Sequence, residues 1–235
     1  GVDVAINFHP NKINEATTGV STAVNSMKFR FHGVSSHAAN APENGRSALD
    51  AVELTNVGAN YLREHVPSDV RIHYTITDGG IVPNVVPDQA EVWYYVRAFS
   101  REVVEDVYNR LVRVAKGAAM MTDTSVEVEF LGGCYNTMNN RILAEVVAES
   151  MNEIAQEPWT QEEIAFAAEL DAQTPVAAEA TRKNYGLPAG THLYEGPGKV
   201  TCFNSYGSTD IGGCHAFDAD RLFLYSMYQY GSTGS

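Results

Sequence analysis

Long apolar runs, basic residues and cysteine are all scarce in this sequence. No apolar stretch approaches the length of about 18 residues that a membrane-spanning helix needs, so none is predicted. The 16 Lys and Arg residues are outnumbered by 29 Asp and Glu residues, which gives a formal net charge of −13. An acidic excess of this size argues against nucleic acid or an anionic membrane as partner. No basic-then-apolar segment opens the chain, so no signal peptide is indicated.

The cysteines are too few for a disulfide framework. Only Cys134, Cys202 and Cys214 are present, and no two of them form a CxxC pair. An odd count without that spacing favours a reducing compartment and argues against a structural zinc site, so we predict a cytoplasmic protein. The sequence also lacks GxSxG, P-loop and GxGxxG motifs, which leaves no basis for a nucleophilic serine or a nucleotide site.

Hydrophobic periodicity predicts a β-α-β-β-α-β unit in the first half of the chain. Apolar residues alternate in four predicted strands and recur at helical spacing in two predicted helices; the strands lie near residues 24–31, 70–77, 90–96 and 126–130, and the helices near 46–63 and 101–118. This order predicts a four-stranded antiparallel sheet with two helices on one face. The alternation places His73, Trp93 and Tyr95 on the other face, where aromatic side chains suggest contact with a partner.

The pattern changes after Leu131. Gly132-Gly133 is interpreted as a strand breaker, helices are predicted at 139–155 and 161–170, and residues 181–212 are interpreted as loops rich in glycine and turn residues. The chain opens with a segment that reads as a strand already under way, so we interpret the N-terminus as a cut. Residues 231–235 resemble a linker.

Five positions are candidates for chemistry, each with an ordinary structural alternative. His9 ends the opening strand and could bind a metal, although an isolated histidine is more often structural. His37 lies in a loop of small residues that could bring it to a ligand, or it could be an exposed loop histidine. Asn84 could hold a carboxylate or cap its turn, and Arg97 could clamp a carboxylate or be a solvated edge charge. The Gly207-Ser208 turn could line a cleft or be a plain ST-turn.

An ordered series of motifs resembles the M20 family of metallopeptidases and amidohydrolases over residues 1 to 212. The motifs are Asn7-Phe8-His9-Pro10, Phe31-His32-Gly33-Val34-Ser35-Ser36-His37-Ala38-Ala39, Gly45-Arg46-Ser47-Ala48-Leu49-Asp50-Ala51, Gly80-Ile81-Val82-Pro83-Asn84-Val85-Val86-Pro87-Asp88, Val96-Arg97 and Gly207-Ser208-Thr209-Asp210. No single motif is specific, but their order and spacing together are.

The resemblance implies an α/β (α+β) fold in which a ferredoxin-like β-α-β-β-α-β dimerisation domain is inserted into part of a metallopeptidase-type α/β catalytic domain. We therefore expect residues 1–23 to end the N-terminal part of the catalytic domain and 24–131 to form the dimerisation (lid) domain. Residues 132–212 would begin the C-terminal part of the catalytic domain. Residues 213–235 depart from the family pattern and are interpreted as an atypical, non-native tail.

The resemblance also implies metal-assisted hydrolysis of the amide bond of an N-acyl amino acid, and we expect p-aminobenzoyl-glutamate as the small-molecule substrate. His9 would bind metal, and His37 would be catalytic by stabilising the oxyanion across a dimer interface. Asn84, Arg97 and the Gly207-Ser208 turn would bind substrate. Two divalent metal ions, Zn or Mn, would activate the water, and a glutamate would act as general base.

The expected partners are a second copy, joined through the lid domain, and a related second subunit. The segment that would hold the remaining metal ligands is absent from this sequence, so we expect this polypeptide alone to bind no metal and to be inactive. Two alternatives stay open. One is another M20-type N-acyl-amino-acid or dipeptide hydrolase, and the other is a non-catalytic dimerisation or binding module.

Overall fold

A computed structural model describes residues 4–7, 13–193, 196–202 and 213–216. Residues 20–137 form one compact unit, and the other described residues form a second. The strands are β1 (Val4–Asn7), β2 (Glu15–Thr17), β3 (Ala23–His32), β4 (Arg71–Asp78), β5 (Gln89–Ala98), β6 (Ser125–Cys134), β7 (Lys199–Thr201) and β8 (Gly213–Ala216). The helices are α1 (Ala48–Leu62), α2 (Arg101–Thr122), α3 (Arg141–Glu153), α4 (Gln161–Gln173) and α5 (Pro175–Tyr185).

The first unit is a four-stranded antiparallel sheet with the strand order β4-β5-β3-β6. The central strands β3 and β5 pair along their whole length, from Ala23 opposite Ala98 to His32 opposite Gln89. Helix α1 connects β3 to β4, and α2 connects β5 to β6. The predicted β-α-β-β-α-β fold is therefore confirmed.

The two helices cover one face of the sheet, and the core lies between them. The two central strands, β3 and β5, bury every second side chain against the helices, because successive side chains in a strand point to opposite faces. The largest fully buried side chains of the two central strands and the helices are Met27, Phe29, Phe31, Val92, Tyr94, Val96, Val52, Val104, Val107 and Leu111. Burying one such side chain stabilises the fold by roughly 1.5–3 kcal/mol.

Tyr94 lies at the centre of this core. Among the described residues, its hydroxyl is the only aromatic hydroxyl that is deeply buried. The hydroxyl donates a hydrogen bond to the side-chain oxygen of Asn56 on α1, and burial raises the pKa of Tyr94. Its ring packs against Phe29 and Tyr74, with centroid distances of 5.6 and 5.1 Å. The hydrogen bond offsets the cost of burying the hydroxyl, so a polar atom is accommodated in the core.

The helices of this unit begin in different ways. Ser47 caps α1, because its hydroxyl accepts a hydrogen bond of 3.1 Å from the backbone N–H of Asp50. Ser100 occupies the N-cap position of α2, but its hydroxyl bonds to the carboxylate of Glu102 at 2.5 Å and not to the backbone. Asp123 is the C-cap of α2 and adopts a left-handed conformation with φ of 55°.

The interpretation of Gly132-Gly133 as a strand breaker is wrong. Strand β6 continues through both glycines to Cys134, and a bulge next to the pair Met27–Phe130 takes up one extra residue. Gly133 is required by close approach, because a Cβ atom there would lie 2.4 Å from the side-chain oxygen of Asn25. The two glycines thus let the strand pass a crowded position, which is a common use of glycine at a bulge.

The outer face of the sheet carries polar and aromatic side chains, as the alternation predicted. Trp93 and Tyr95 are half-buried there, and His73 is exposed. At one end of this face the carboxylate of Glu91 accepts hydrogen bonds from Lys28 at 2.7 Å, Arg30 at 2.6 Å and Thr77 at 2.7 Å. This network joins β3, β4 and β5.

The charge of Glu91 is stabilised by that network. Burial alone would raise the pKa of Glu91, but the hydrogen bonds from Lys28, Thr77 and Arg30 outweigh it and lower the pKa from 4.5 to about 2. The carboxylate therefore stays ionised at every pH at which the folded protein is expected to work.

The second unit contains two small strand pairs, β1 with β8 and β2 with β7. Helix α3 packs Ala144 and Ala148 against Ala16 of β2. The helices predicted at 139–155 and 161–170 are confirmed as α3 and α4, and Thr160 with Glu163 forms a capping box at the start of α4. None of the helices in the described ranges combines the length and apolar character needed to cross a membrane.

Helix α5 was not predicted, and part of it falls in the segment interpreted as loops. It begins at Pro175, which suits the first helical turn because proline lacks the N–H that would be unpaired there. Its C-cap is Gly186, whose φ of 64° is left-handed. Only Ala178 of this helix is buried, so no stripe of large apolar residues marked it in the sequence.

We predict that Glu91→Gln destabilises the protein at neutral pH by about 2 kcal/mol, because hydrogen bonds to a charged group contribute roughly that much. The pKa of Glu91 is lower in the folded chain than in the unfolded chain, so the stabilisation is complete above pH 4.5 and is lost as the pH falls toward 2. Urea unfolding of the wild type and the variant should therefore converge at acid pH. Glu64→Gln, an exposed carboxylate outside the network, is the control, and a pH-independent difference for Glu91→Gln would contradict this account.

Candidate functional site

Two loops beside the sheet hold each other through backbone hydrogen bonds, and we call residues 33–48 and 80–88 the loop pair. Val34 bridges Arg46 within the first loop, and His37 bridges Val85 of the second. The N–H of Val86 donates to the carbonyl of Ser36 at 2.9 Å. The loops are thus fixed as an extension of the β structure, which gives their side chains defined positions.

Glycine is required at two places in the loop pair. A Cβ atom on Gly33 would lie 1.9 Å from the carbonyl oxygen of Arg46, so no other residue fits there without movement of the backbone. Gly80 adopts a φ of +96°, which favours glycine, and its N–H donates to the carboxylate of Asp78 at 3.0 Å. These contacts account for two of the motif glycines in structural terms.

His37 projects from the loop pair with one ring nitrogen already used. Its Nδ1 atom accepts hydrogen bonds from the backbone N–H groups of Ala39 at 3.2 Å and Asn40 at 3.1 Å. An acceptor nitrogen carries no proton, so the neutral ring bears its proton on Nε2. The side chain is exposed. His37 therefore presents an oriented Nε2–H donor to whatever lies next to the loop.

Asn84 lies beside His37. Its backbone carbonyl accepts a hydrogen bond of 2.9 Å from the N–H of Ala38, and the turn around it is closed by a bond of 3.3 Å from the N–H of Val85 to the carbonyl of Val82. The residue is exposed. The structure therefore brings together two of the predicted site residues, an imidazole donor and a carboxamide.

Arg97 lies elsewhere on the same unit. It is the ninth residue of β5, which begins directly after the loop pair, and eight residues of extended strand span roughly 27 Å. It is half-buried on the outer face of the sheet, with its guanidinium 5.5 Å from the centroid of the Tyr95 ring. Its Nη1 atom is buried without a hydrogen-bond partner among the described residues. Within one copy of the chain, Arg97 therefore lies far from His37 and Asn84.

Two basic residues that were not among the candidate site residues lie near Arg97. Arg71 of β4 stands directly opposite Arg97, and His73 stands opposite Tyr95, on the same outer face. Burial lowers the pKa of His73, and the positive charges of Arg97, Arg63 and Arg71 lower it further. The alternation in β4 predicts that Arg71 and His73 share a face. Which residues of β5 lie opposite them depends on the strand register, which no local sequence pattern gives.

The remaining predicted site residues, His9, Gly207 and Ser208, lie outside the described residues. Within the described ranges, no three His, Cys, Asp or Glu side chains come together as a metal-binding group would require. The residues described thus supply no ligand set for the two divalent ions.

The comparisons with known proteins point to one family. A model described as a peptidase dimerisation domain, M20_dimer, matches residues 23–120. The chain is 41% identical to a p-aminobenzoyl-glutamate hydrolase subunit of Escherichia coli (strain K12) over 172 residues, which are 73% of this chain and 36% of that protein. It is 29% identical to Xaa-Arg dipeptidase of Mus musculus over 157 residues, which are 66% of this chain and 36% of the relative. The chain thus spans about a third of the length of these relatives.

Solved structures share the fold. An aminobenzoyl-glutamate utilization protein from Klebsiella pneumoniae aligns with a TM-score of 0.50 at 20% identity, over 85% of this chain and 48% of that one. A hydantoinase/carbamoylase family amidase from Burkholderia vietnamiensis aligns with a TM-score of 0.52 at 13% identity, over 58% and 33% of the two chains. The β-α-β-β-α-β unit and the match of residues 23–120 show that this chain contains an M20 peptidase dimerisation domain.

Proposed function

We propose that this chain is part of a metal-dependent amidohydrolase that cleaves the amide bond of an N-acyl amino acid, with p-aminobenzoyl-glutamate as the favoured substrate. The identity of 41% to a p-aminobenzoyl-glutamate hydrolase subunit supports this choice. The observation that carries the proposal is the exposed His37, whose Nε2–H is the only ring donor that its two backbone hydrogen bonds leave. The chain would act in the cytoplasm, because it has few cysteines and no two of them form a CxxC pair.

His37 would stabilise the oxyanion that forms when water adds to the amide carbonyl. An oriented donor is most effective when it is held in place before the reaction, because no reorganisation is then needed as charge develops. The backbone N–H groups of Ala39 and Asn40 hold the ring in this way. Asn84, on the adjoining loop, would add a carboxamide to hold the substrate.

Arg97 would bind the carboxylate of the amino acid product half through its planar guanidinium, which suits bidentate recognition. Its separation from His37 along β5, roughly 27 Å, exceeds the length of an N-acyl amino acid. One copy of the chain therefore cannot place both residues on the same substrate molecule. A second copy would supply His37 to the site that uses Arg97.

The metal part of the proposal rests on the family alone. Two divalent ions, Zn or Mn, would activate the attacking water when bound, and His9 is the ligand that this chain would contribute. Because the described residues hold no ligand set, no step of the reaction is assigned to the metals. The residues of this chain would orient the substrate and stabilise charge, and the Gly207-Ser208 turn would contact the substrate.

The edge strand β4 would join two copies. It lies at one end of the sheet order, so none of the described strands pairs with the outer row of its backbone groups. Tyr74 and Ile76 of its inner side are 37% and 43% exposed at this edge, whereas their counterparts on the central strands are buried. An unpaired edge flanked by apolar side chains is a template for pairing with another strand, and the dimerisation-domain match makes a second copy the occupant we propose. A related second subunit would use the same edge.

The role of His37 can be tested by replacing it with alanine in a polypeptide that contains this sequence and has the full length of the relatives. We expect His37→Ala to lower kcat for p-aminobenzoyl-glutamate on the order of 100-fold, the effect of losing one oxyanion donor, with metal content unchanged. His65→Ala removes another exposed histidine of the same unit and should leave kcat intact. Unchanged turnover in His37→Ala would remove the catalytic role.

Co-expression of two inactive variants tests whether His37 acts across the interface. In a dimer of His37→Ala with His9→Ala, one site would combine the His9 of the first chain with the His37 of the second. Random pairing makes half of the dimers mixed, with one of two sites whole, so about a quarter of wild-type activity should return. Activity that stays at the level of the separate variants would show that each chain uses its own His37.

We predict that Ile76→Lys weakens self-association of the 235-residue chain on the order of 100-fold, because a charge at the edge opposes strand pairing. Sedimentation of wild type and variant over a range of concentrations measures the change. Leu131→Lys places the same charge on the other edge strand, β6, where Leu131 is 36% exposed, and should leave association intact. Equal effects of both variants, or none, would exclude β4 as the interface, and thermal melts check that both variants fold.

One alternative has support of its own. The identity of 29% to Xaa-Arg dipeptidase favours another N-acyl-amino-acid or dipeptide hydrolase. A non-catalytic dimerisation module would fit if the His37→Ala variant kept full turnover while Ile76→Lys abolished association. A panel of N-acyl glutamates and dipeptides, assayed on the same full-length protein, separates the two hydrolase readings by their kcat/KM ratios.

A further inference from the structure

Arg46 ties the first loop of the loop pair to the end of helix α2, a contact that the proposed function does not use. Its Nε atom donates to the carboxylate of Asp123 at 2.8 Å. Its Nη1 atom donates to the backbone carbonyls of Glu43 at 3.2 Å and Gly45 at 2.7 Å. One planar guanidinium therefore fixes a turn of the loop and the helix end at the same time, which the single ammonium of a lysine does not do.

The turn that Arg46 holds is continuous with His37 through short-range hydrogen bonds. The backbone carbonyl of His37 accepts a bond of 3.0 Å from the N–H of Ala41, and the carbonyl of Ala41 accepts one of 3.2 Å from the N–H of Asn44. Bonds between such close neighbours in the chain set the shape of the turn but not its place on the domain. The second loop anchors the part around His37, and residues 41–45 need an anchor of their own.

Asp123 is an unusual residue for the position that it occupies. It is the only non-glycine residue in the described ranges with a positive φ, 55°. It lies at the end of α2, where the N–H of Thr124 donates to the carbonyl of Ala119 at 3.0 Å. Such a helix end favours glycine, which has no Cβ atom to strain the left-handed backbone. What the aspartate adds is a carboxylate, and that carboxylate accepts the bond from Arg46.

The contact between Arg46 and Asp123 is exposed, so it adds little to the stability of the fold. The two side chains are 40% and 82% exposed, and ion pairs in such positions contribute little to the free energy of unfolding. The backbone of Arg46 pairs with Val34 in both directions, at 2.8 and 2.9 Å, without the side chain. A contact that adds little stability and uses a residue in a strained conformation fits a role in positioning.

We propose that Arg46, held by Asp123, is a positioning residue that keeps the imidazole of His37 where its Nε2–H can meet the substrate. The guanidinium fixes the turn that follows His37. That turn in its place steadies the backbone N–H groups of Ala39 and Asn40, which bond to Nδ1 of the ring. A donor stabilises an oxyanion best when it is already in place. The effect on turnover rests on the proposed function, whereas the effect on the ring rests on the geometry of the loop alone.

NMR of the 235-residue chain tests the positioning without catalysis. The nitrogen signals of the neutral His37 ring report which nitrogen carries the proton, and we expect Nε2 in the wild type. Arg46→Gln should shift the ring toward a mixture of the two forms and speed hydrogen exchange at the N–H groups of Ala39 and Asn40 roughly 10-fold. Arg113→Gln, the same change at an exposed position of α2, should alter neither. A ring unchanged by Arg46→Gln would overturn the proposal.

Substitutions of Asp123 separate positioning from stability. Asp123→Gly removes the carboxylate but suits the left-handed backbone. Its melting temperature should therefore be no lower than that of the wild type, while the His37 ring changes as it does in Arg46→Gln. Asp123→Asn tolerates the same backbone and keeps an acceptor oxygen without the charge, so its effect on the ring should lie between. A ring that changes only in variants with a lower melting temperature would reduce the contact to a structural one and overturn the proposal.

Kinetics of the full-length protein connect the ring to turnover. We expect Arg46→Gln to lower kcat for p-aminobenzoyl-glutamate on the order of 10-fold with KM nearly unchanged, because the donor acts in the transition state. In the His37→Ala background, Arg46→Gln should have no further effect, since a positioning residue acts only through the group that it positions. Effects that multiply in the double variant would contradict this. If Arg46→Gln changes the ring but His37→Ala keeps full turnover, the proposed function fails and the positioning contact stands.

Discussion

The antiparallel pairing of β3 with β5 is the constraint on which the rest of the structure depends. Its unbroken register from Ala23–Ala98 to His32–Gln89 sends one set of side chains into the core and the other to the outer face. A shift by one residue would exchange the two sets and expose Phe29 and Tyr94. The same register places Arg97 far from the loop pair, so core packing and the arrangement of functional groups have a common origin.

The candidate site residues at the two ends of β5 are oriented in different ways. Before its start, two backbone N–H groups of the same loop orient the ring of His37, and a backbone hydrogen bond joins Asn84 to that loop. At its end, Arg97 is oriented by the sheet itself and by the Tyr95 ring. Under the proposed function, a substrate that contacts both ends would have to meet two copies of the chain, so dimerisation and substrate binding would become one requirement.

The elements of the first unit could be predicted from the sequence because alternation and helical spacing are local signals. Gly132-Gly133 was misread since glycine marks both breaks and bulges, and only the crowding at Asn25 distinguishes them. Helix α5 was missed because it buries one alanine. Arg97 was recognised as a candidate from its motif, but its distance from the loop pair and its pairing with Arg71 depend on strand register between distant parts of the chain, which no window of sequence contains.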